Sequence, residues 1–329
     1  MCSPIGNYNK SEEKELDPFL QYEKQRRFPW EQGIPVIKPK KQRVIINVLL
    51  FLATVCTTVG AGAMLEGVNP LVHPEELTRG FPFSFALIFI LLSHEFGHYI
   101  SSRIHRIDAT LPYFIPAPTF IGTFGAFIKM RSPVLDRKAL LDVGAAGPIT
   151  GFIVALPFLI IGLMLSEVKT MATAPEGGLF IGSSLLLSFL TRIIFGNLPD
   201  TQQIFLHPVA FAGWIGLLVT SLNLLPVGQL DGGHIAYAVF GEKQEKISRF
   251  TFVALIALGS YKWIGQLFNL QIPGWEGWII WALLLQFMGL KHPRPINHWI
   301  ELDRKRKVIG WIALAIFVIT FTPVPFGTF

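Results

Sequence analysis

Two histidines and a glutamate stand where charge is scarce. The stretch ILLSHEFGHYI, residues 90–100, places His94, Glu95 and His98 in the form H-E-x-x-H, in a segment with no charge from Phe81 to Ser93. On a helix His94 and His98 are one turn apart and project from one face, so both imidazoles can reach a single metal ion. Glu95 lies about 100° round the axis, beside them. Two neutral imidazoles and a borderline ion suit Zn2+. Zinc lowers the pKa of a bound water to about 7, and an adjacent carboxylate can take its proton and later pass it to a leaving amine. That is the chemistry of peptide hydrolysis. Ionisable groups in a membrane segment are costly and by default mark a functional site.

A catalytic zinc needs a third protein ligand and an open position. The second polar constellation is SLNLLPVGQLDGGH, residues 221–234, at the end of another apolar run. Pro226 stops or kinks a helix, and Asp231 follows it. An acid before Gly232 and Gly233 is on its own a turn or a helix cap; beside a dihistidine that lacks a ligand, ligation is the favoured reading. The Asn223 amide could donate to a developing oxyanion or make an interhelical hydrogen bond. His234 could hold Asp231 or a water, or could serve as a cap or interfacial residue.

The elements that must position these groups are membrane helices. The chain has 329 residues, 51% hydrophobic and 15% charged, with a mean hydropathy of +0.48. That is too apolar and too poor in charge for an ordinary soluble protein. Val44 to Leu65 carries no charge over 22 residues, enough to cross a hydrocarbon core of about 30 Å. Further apolar runs lie around 87–92 and at 143–165, 208–225, 250–270, 278–290 and 308–324. The fold class expected is an all-α polytopic membrane protein of about seven transmembrane helices, with a small membrane-dipping β-hairpin or loop near the site. The loop is expected at residues 109–133, where Pro112, Pro116, Pro118 and Pro133 forbid a straight helix and Gly122 and Gly125 punctuate an apolar stretch. Irregular backbone at that depth must be covered by protein or face a water-filled cavity.

Of the 28 lysines and arginines, 24 fall on one side of a seven-span arrangement with the N-terminus in the cytoplasm. The net charge of +6 is therefore a topology signal and an anionic-lipid contact, and no nucleic-acid partner is expected. Residues 1–43 are polar and proline-containing, which predicts a flexible cytoplasmic tail ahead of a membrane domain over 44–329. The first apolar run is too long for a signal core. Glu12, Glu13, Glu15, Asp17, Glu23 and Glu31 disfavour a plastid or mitochondrial transit peptide. Cys2 and Cys56 offer neither a disulfide framework nor a cysteine metal site. The apolar patch at 179–195 is expected to be interfacial, re-entrant or, less in keeping with Arg192, a further span.

HEFGH at 94–98, NLLPVGQLDGG at 223–233 and the glycine-containing loop between them resemble the site-2 protease family of intramembrane zinc metalloproteases, in a short form without PDZ or CBS domains. The resemblance covers about residues 80–240, with additional C-terminal helices over 248–329. It implies one Zn2+ per chain held by His94, His98 and Asp231. It further implies Glu95 as general base and acid, Asn223 assisting the tetrahedral intermediate, and transmembrane protein substrates cleaved in regulated intramembrane proteolysis within the lipid bilayer. Gly228 and Gln229 stand where many members carry proline. An extended edge around 121–128 could pair with an unwound substrate by strand addition, which makes Gly122, Thr123, Phe124 and Gly125 candidate substrate-binding residues. The location expected is a bacterial cell membrane in preference to a plastid one. The alternatives are a membrane zinc transporter, which should spread His and acidic residues along a path to both faces, and a non-proteolytic binding protein derived from the family, against which Glu95 argues.

Overall fold

The computed structural model describes residues 44–170, 180–199, 201–270, 272 and 274–327; the tail expected at 1–43 lies outside the described residues. The chain is mostly helical. Helix α1 runs Val44–Leu65 and, after a 3-10 turn at Pro74–Gly80, α2 runs Phe81–Ile104. A hairpin of β1, Tyr113–Pro116, and β2, Thr123–Phe127, leads into α3, Arg137–Met164. Strand β3 (Glu167–Thr170), β4 (Phe180–Ile181), α4 (Leu185–Phe195) and β5 (Gln202–Phe205) precede α5, Pro208–Asn223. Helices α6 (Asp231–Phe240), α7 (Gln244–Leu267), α8 (Gly277–Met288) and α9 (Arg304–Thr320) follow, and β6, Phe326–Gly327, closes the described residues.

Every apolar run anticipated from the sequence is a helix, but not all of them have the length of a span. Among the described residues, four helical stretches are long and apolar enough to cross a membrane: Val44–Leu65, Pro74–Ile104, Arg137–Met164 and Asp231–Leu267. Helix α5 has 16 residues, about 24 Å. It is sheathed instead of lipid-facing, with Phe211, Trp214, Ile215 and Leu217 all buried against α2 and α3. A helix so enclosed can end within the protein, because the irregular backbone after it is covered. Of the patch at 179–195, residue 179 lies outside the described residues, Phe180–Ile181 is β4, and α4's 11 residues reach only about 16 Å and cannot span.

Three two-stranded antiparallel ladders are present among the described residues, where the sequence predicts one. The expected hairpin pairs Tyr113 with Phe127 and Phe114 with Ala126, with an irregularity between Phe114 and Pro116. The other two, β3 with β5 and β4 with β6, join segments with no strand period strong enough to read alone.

Polar side chains on α1 hold the hairpin. Asn47 Nδ2 donates to the carbonyls of Leu111 (3.1 Å) and Pro112 (2.8 Å). Thr57 Oγ1 donates to the Gly122 carbonyl at 2.6 Å. Gly122 has a φ of +83°, and a side chain there would meet the Thr57 carbonyl oxygen at 2.6 Å, so glycine satisfies both the turn and the close approach. The Thr58 and Ser84 hydroxyls, 2.7 Å apart, tie α1 to α2. The opposite face of α1 exposes Val44, Ile45, Leu49 and Leu52, the pattern of a lipid-facing surface.

Candidate metal centre

Helix α2 delivers the dihistidine. His94 and His98 are buried and one turn apart, their ring centroids separated by 4.9 Å. They lie against α3, whose sequence GAAGPITG at 144–151 keeps that face small. A methyl group at Gly147 would collide with His98 Nε2, and one at Gly151 would stand 2.8 Å from His94 Nδ1. This absence of side chains lets two imidazoles sit between packed helices. Helix α3 also fixes one ring, because the Val143 carbonyl oxygen lies 2.8 Å from His98 Nδ1 and can only accept. His98 in its neutral form therefore carries its proton on Nδ1 and turns a lone pair on Nε2 toward the site.

Asp231 arrives from the other side. After α5 ends at Asn223, the chain makes a compact loop with Val227 N–H donating to the Leu225 carbonyl (2.7 Å) and Leu230 N–H to that of Val227 (3.1 Å). Ser248 on α7 supports the loop, donating to the Pro226 carbonyl at 3.0 Å and accepting from Gly228 N–H at 3.3 Å. Asp231 then opens α6. The residue at its N-cap is Leu230, and no side chain caps the helix. The Asp231 carboxylate faces the histidines instead, with Oδ2 3.1 Å from His98 Nε2 and 3.4 Å from His94 Nε2.

The two Nε2 atoms are 3.2 Å apart. Three donor atoms with mutual separations of 3.1–3.4 Å suit one tetrahedral ion, since zinc bonds of about 2.0–2.1 Å place neighbouring ligand atoms about 3.3 Å apart. Their chemistry points the same way. A neutral His98 has no proton on Nε2 to give, so its lone pair faces the Asp231 carboxylate oxygen 3.1 Å away in a buried space, and a cation between them relieves that repulsion. The two imidazoles and one carboxylate fit a zinc ion.

Glu95 lines the same cavity of about 190 Å³, together with His94, His98, Asn223, Asp231 and His234. The backbone N–H of Ile128, just past β2, bonds the Glu95 carboxylate. Asn223, the last residue of α5, places Nδ2 3.3 Å from His94 Nε2. His234 lines the cavity one turn beyond Asp231 but directs Nδ1 away from it, to His292 Nε2 at 2.6 Å.

The structure thus brings His94, Glu95, His98, Asn223 and Asp231 together across 137 residues of sequence. It does not bring Gly122, Thr123, Phe124 and Gly125 to the cavity wall. The hairpin residues that line it are Ala126, Phe127 and Ile128, one step further along the strand. Phe124 is exposed and Thr123 turns inward to bond the Ile115 carbonyl at 2.8 Å. Sequence reasoning missed the role of Gly147 and Gly151, for which small residues at helical spacing were the available signal. It also missed His292, which follows α8 in irregular chain with no motif around it.

The profile of Peptidase family M50 matches residues 82–261, more than half of the chain. The chain is 28% identical over 303 residues to "Probable zinc metalloprotease EGY1, chloroplastic" of Arabidopsis thaliana, covering 85% of this chain and 53% of that protein. It is 31% identical over 240 residues to the Oryza sativa subsp. japonica protein of the same name, covering 65% and 41%. It is 29% identical over 255 residues to "Probable zinc metalloprotease EGY2, chloroplastic" of Arabidopsis thaliana, covering 77% and 43%. The chain spans about half the length, or less, of these curated relatives. No solved structure matches. The relatives overturn the expected bacterial cell membrane, since they are named chloroplastic and point to a plastid. That expectation leaned on the acidic residues of 1–43, and a count of acids carries no address. With the profile spanning both halves of the metal centre, the chain belongs to Peptidase family M50.

Proposed function

We propose that this chain is a zinc metalloendopeptidase of a plastid membrane that hydrolyses peptide bonds in or near the transmembrane segments of other membrane proteins. The observation that carries the reading is the convergence of His94 Nε2, His98 Nε2 and Asp231 Oδ2 within 3.4 Å of one another beside the Glu95 carboxylate. We also hold that all seven apolar runs lie in the bilayer, the shorter α5, α8 and α9 being completed by their flanking loops, and that the core of the activity lies within about residues 80–240.

His94, His98 and Asp231 would hold the ion, which when bound lowers the pKa of a water and polarises the scissile carbonyl. Glu95 takes a proton from water and delivers it to the nitrogen of the leaving amine. Until then the Ile128 N–H keeps the carboxylate in place. Asn223 Nδ2 supplies a neutral donor to the oxygen that gains charge in the tetrahedral intermediate.

A peptide bond inside a helix is shielded by its own hydrogen bonds, so a membrane substrate must be unwound before it reaches Glu95. Strand β2 has one edge paired with β1, and its last residues, Ala126 and Phe127, form a wall of the cavity with Ile128 just beyond them. An extended substrate added along its other edge would replace its lost helical hydrogen bonds with those of a strand pair. Regulated intramembrane proteolysis is the process such a reaction would serve. The zinc-transporter alternative fits less well, because the metal centre is the one His/Cys/Asp/Glu group of this kind among the described residues, with no second group on a path through the helices.

The test is Glu95→Gln in membranes, with captured proteins identified by mass spectrometry. The variant should retain zinc, accumulate uncut membrane proteins and yield none of the fragments that the wild type releases. Fragment release at the wild-type rate would refute the reading.

A further inference from the structure

Beyond the two metal-ligand histidines, the cavity has a third histidine whose orientation is set from outside it. His234 and His292 are both buried, at 8% and 4% exposure, and are joined by the 2.6 Å contact between His234 Nδ1 and His292 Nε2. They open on different spaces. His234 lines the metal cavity, while His292 lines a separate pocket bounded by Tyr237, Glu242, Glu245, Lys291 and Arg294. His292 is held on several sides: Tyr237 stacks on its ring at 4.9 Å, and its backbone N–H donates to Gln244 Oε1 at 3.3 Å.

The hydrogen-bond direction along this pair follows from its far end. His292 Nδ1 bonds the carbonyl oxygen of Pro293, which can only accept, so Nδ1 carries the proton. Burial holds the His292 imidazole well below its ordinary range, at about 4, so at neutral pH it has one proton and a lone pair on Nε2. His234 Nδ1 must then be the donor across the 2.6 Å contact. With its proton on Nδ1, neutral His234 keeps Nε2 as a bare acceptor, the nitrogen not consumed by His292.

We propose that His292 is a positioning residue that locks His234 in the Nδ1–H tautomer, so that His234 Nε2 is a fixed hydrogen-bond acceptor for water in the metal cavity. This deepens the peptidase reading and rests on it for its functional meaning. Water that Glu95 deprotonates has a second O–H, and an acceptor held one turn from Asp231 restricts its orientation. Without His292 the His234 ring can carry its proton on either nitrogen, and in half of the possibilities it offers the cavity a donor instead.

The experiment uses the full chain in lipid, metal-free, with histidine nitrogens labelled with 15N, and assigns the His234 signals by their loss in His234→Gln. The wild type should show a protonated Nδ1 and a bare Nε2 at His234. His292→Gln retains an acceptor oxygen and should keep that pattern; His292→Leu should give a mixture of tautomers. In the zinc-loaded protein His292→Leu should lower kcat about tenfold with KM and zinc content unchanged, and His292→Gln should restore most of the rate. A wild-type His234 protonated on Nε2 would overturn the proposal. So would a His292→Leu spectrum identical to the wild type, or equal losses in both variants. If His292→Leu fails to fold, the wild-type and His292→Gln spectra still decide. The spectrum needs no cleavage, so absent peptidase activity with the expected tautomers would count against the proposed function alone.

Discussion

The carbonyl oxygen of Val143 lies 2.8 Å from Nδ1 of His98, and this single contact assigns the imidazole's proton. Because a carbonyl cannot donate, the neutral ring keeps its proton on Nδ1 and leaves Nε2 bare toward His94 and Asp231. The same backbone stretch, continued by Gly147 and Gly151, gives the rings room. Helix α3 thus shapes the metal centre without contributing a ligand, by a carbonyl on one turn and missing side chains on the next two.

Gly147→Ala tests that role. Its methyl group would overlap His98 Nε2, so the ring must move or the helices must part. Overpacking of this kind costs about 1–3 kcal/mol. Zinc content should fall well below that of the wild type, and the variant should unfold at a lower temperature. Full zinc occupancy with unchanged stability would show that the α2–α3 contact is looser than described.

Asn223→Ala separates binding from catalysis. The amide faces His94 at 3.3 Å but is not one of the three converging donors. Loss of one oxyanion donor typically lowers kcat by about 10²–10³. We expect that range here, with zinc content kept. An unchanged kcat would reduce Asn223 to an interhelical contact.

Thr57→Val addresses the hairpin. It removes the 2.6 Å bond to the Gly122 carbonyl, which anchors the turn between β1 and β2 to α1. A bond of this kind is worth about 1 kcal/mol. If β2 receives the substrate, KM should rise several-fold while kcat for bound substrate stays within about twofold, since that free energy corresponds to roughly a fivefold change in an equilibrium. A fall in kcat alone, with KM fixed, would place the hairpin's role in the chemical step.

Much of this site is legible in the sequence because its residues fall in two short motifs. His94, Glu95 and His98 follow from helical geometry, and Asp231 follows from the need for a third donor. The sequence favours Asp231 as a ligand over a cap; the fold, which puts Leu230 at the N-cap with no side-chain cap, turns the carboxylate to the histidines. Span length was harder to read. Hydropathy marks α5 as apolar but cannot say that it is apolar because protein surrounds it, and its 16 residues need not match the bilayer. The extended edge expected around 121–128 is present, and its cavity-lining part is Ala126 to Ile128, beyond the 122–125 stretch singled out for substrate; which hairpin residues meet the site depends on a register with an irregularity between Phe114 and Pro116. His292 is invisible to local pattern. Its partner, His234, is 58 residues away.

A pH prediction follows from His292, which is outside the spanning helices. Burial lowers its pKa from 6.5 to about 4, opposed only in part by the Pro293 carbonyl. The groups facing it are His234, Tyr237, Glu242, Glu245, Lys291 and Arg294. The unfolded chain binds this proton more readily than the folded one between those values, so the contribution to stability is full above about 6.5 and is lost as pH falls toward 4. Thermal unfolding of the metal-free protein should show that loss. In His292→Gln the slope over the same window should flatten, and an unaltered slope would assign it to other groups.

The central claim is that His94, His98 and Asp231 hold one zinc ion beside Glu95. Zinc K-edge X-ray absorption on the purified full chain, with metal content measured on the same sample, tests it most directly. The account predicts one zinc per chain with only nitrogen and oxygen neighbours at about 2.0–2.1 Å, two of them imidazole. A chain that retains no zinc, or a shell containing sulfur, would contradict it.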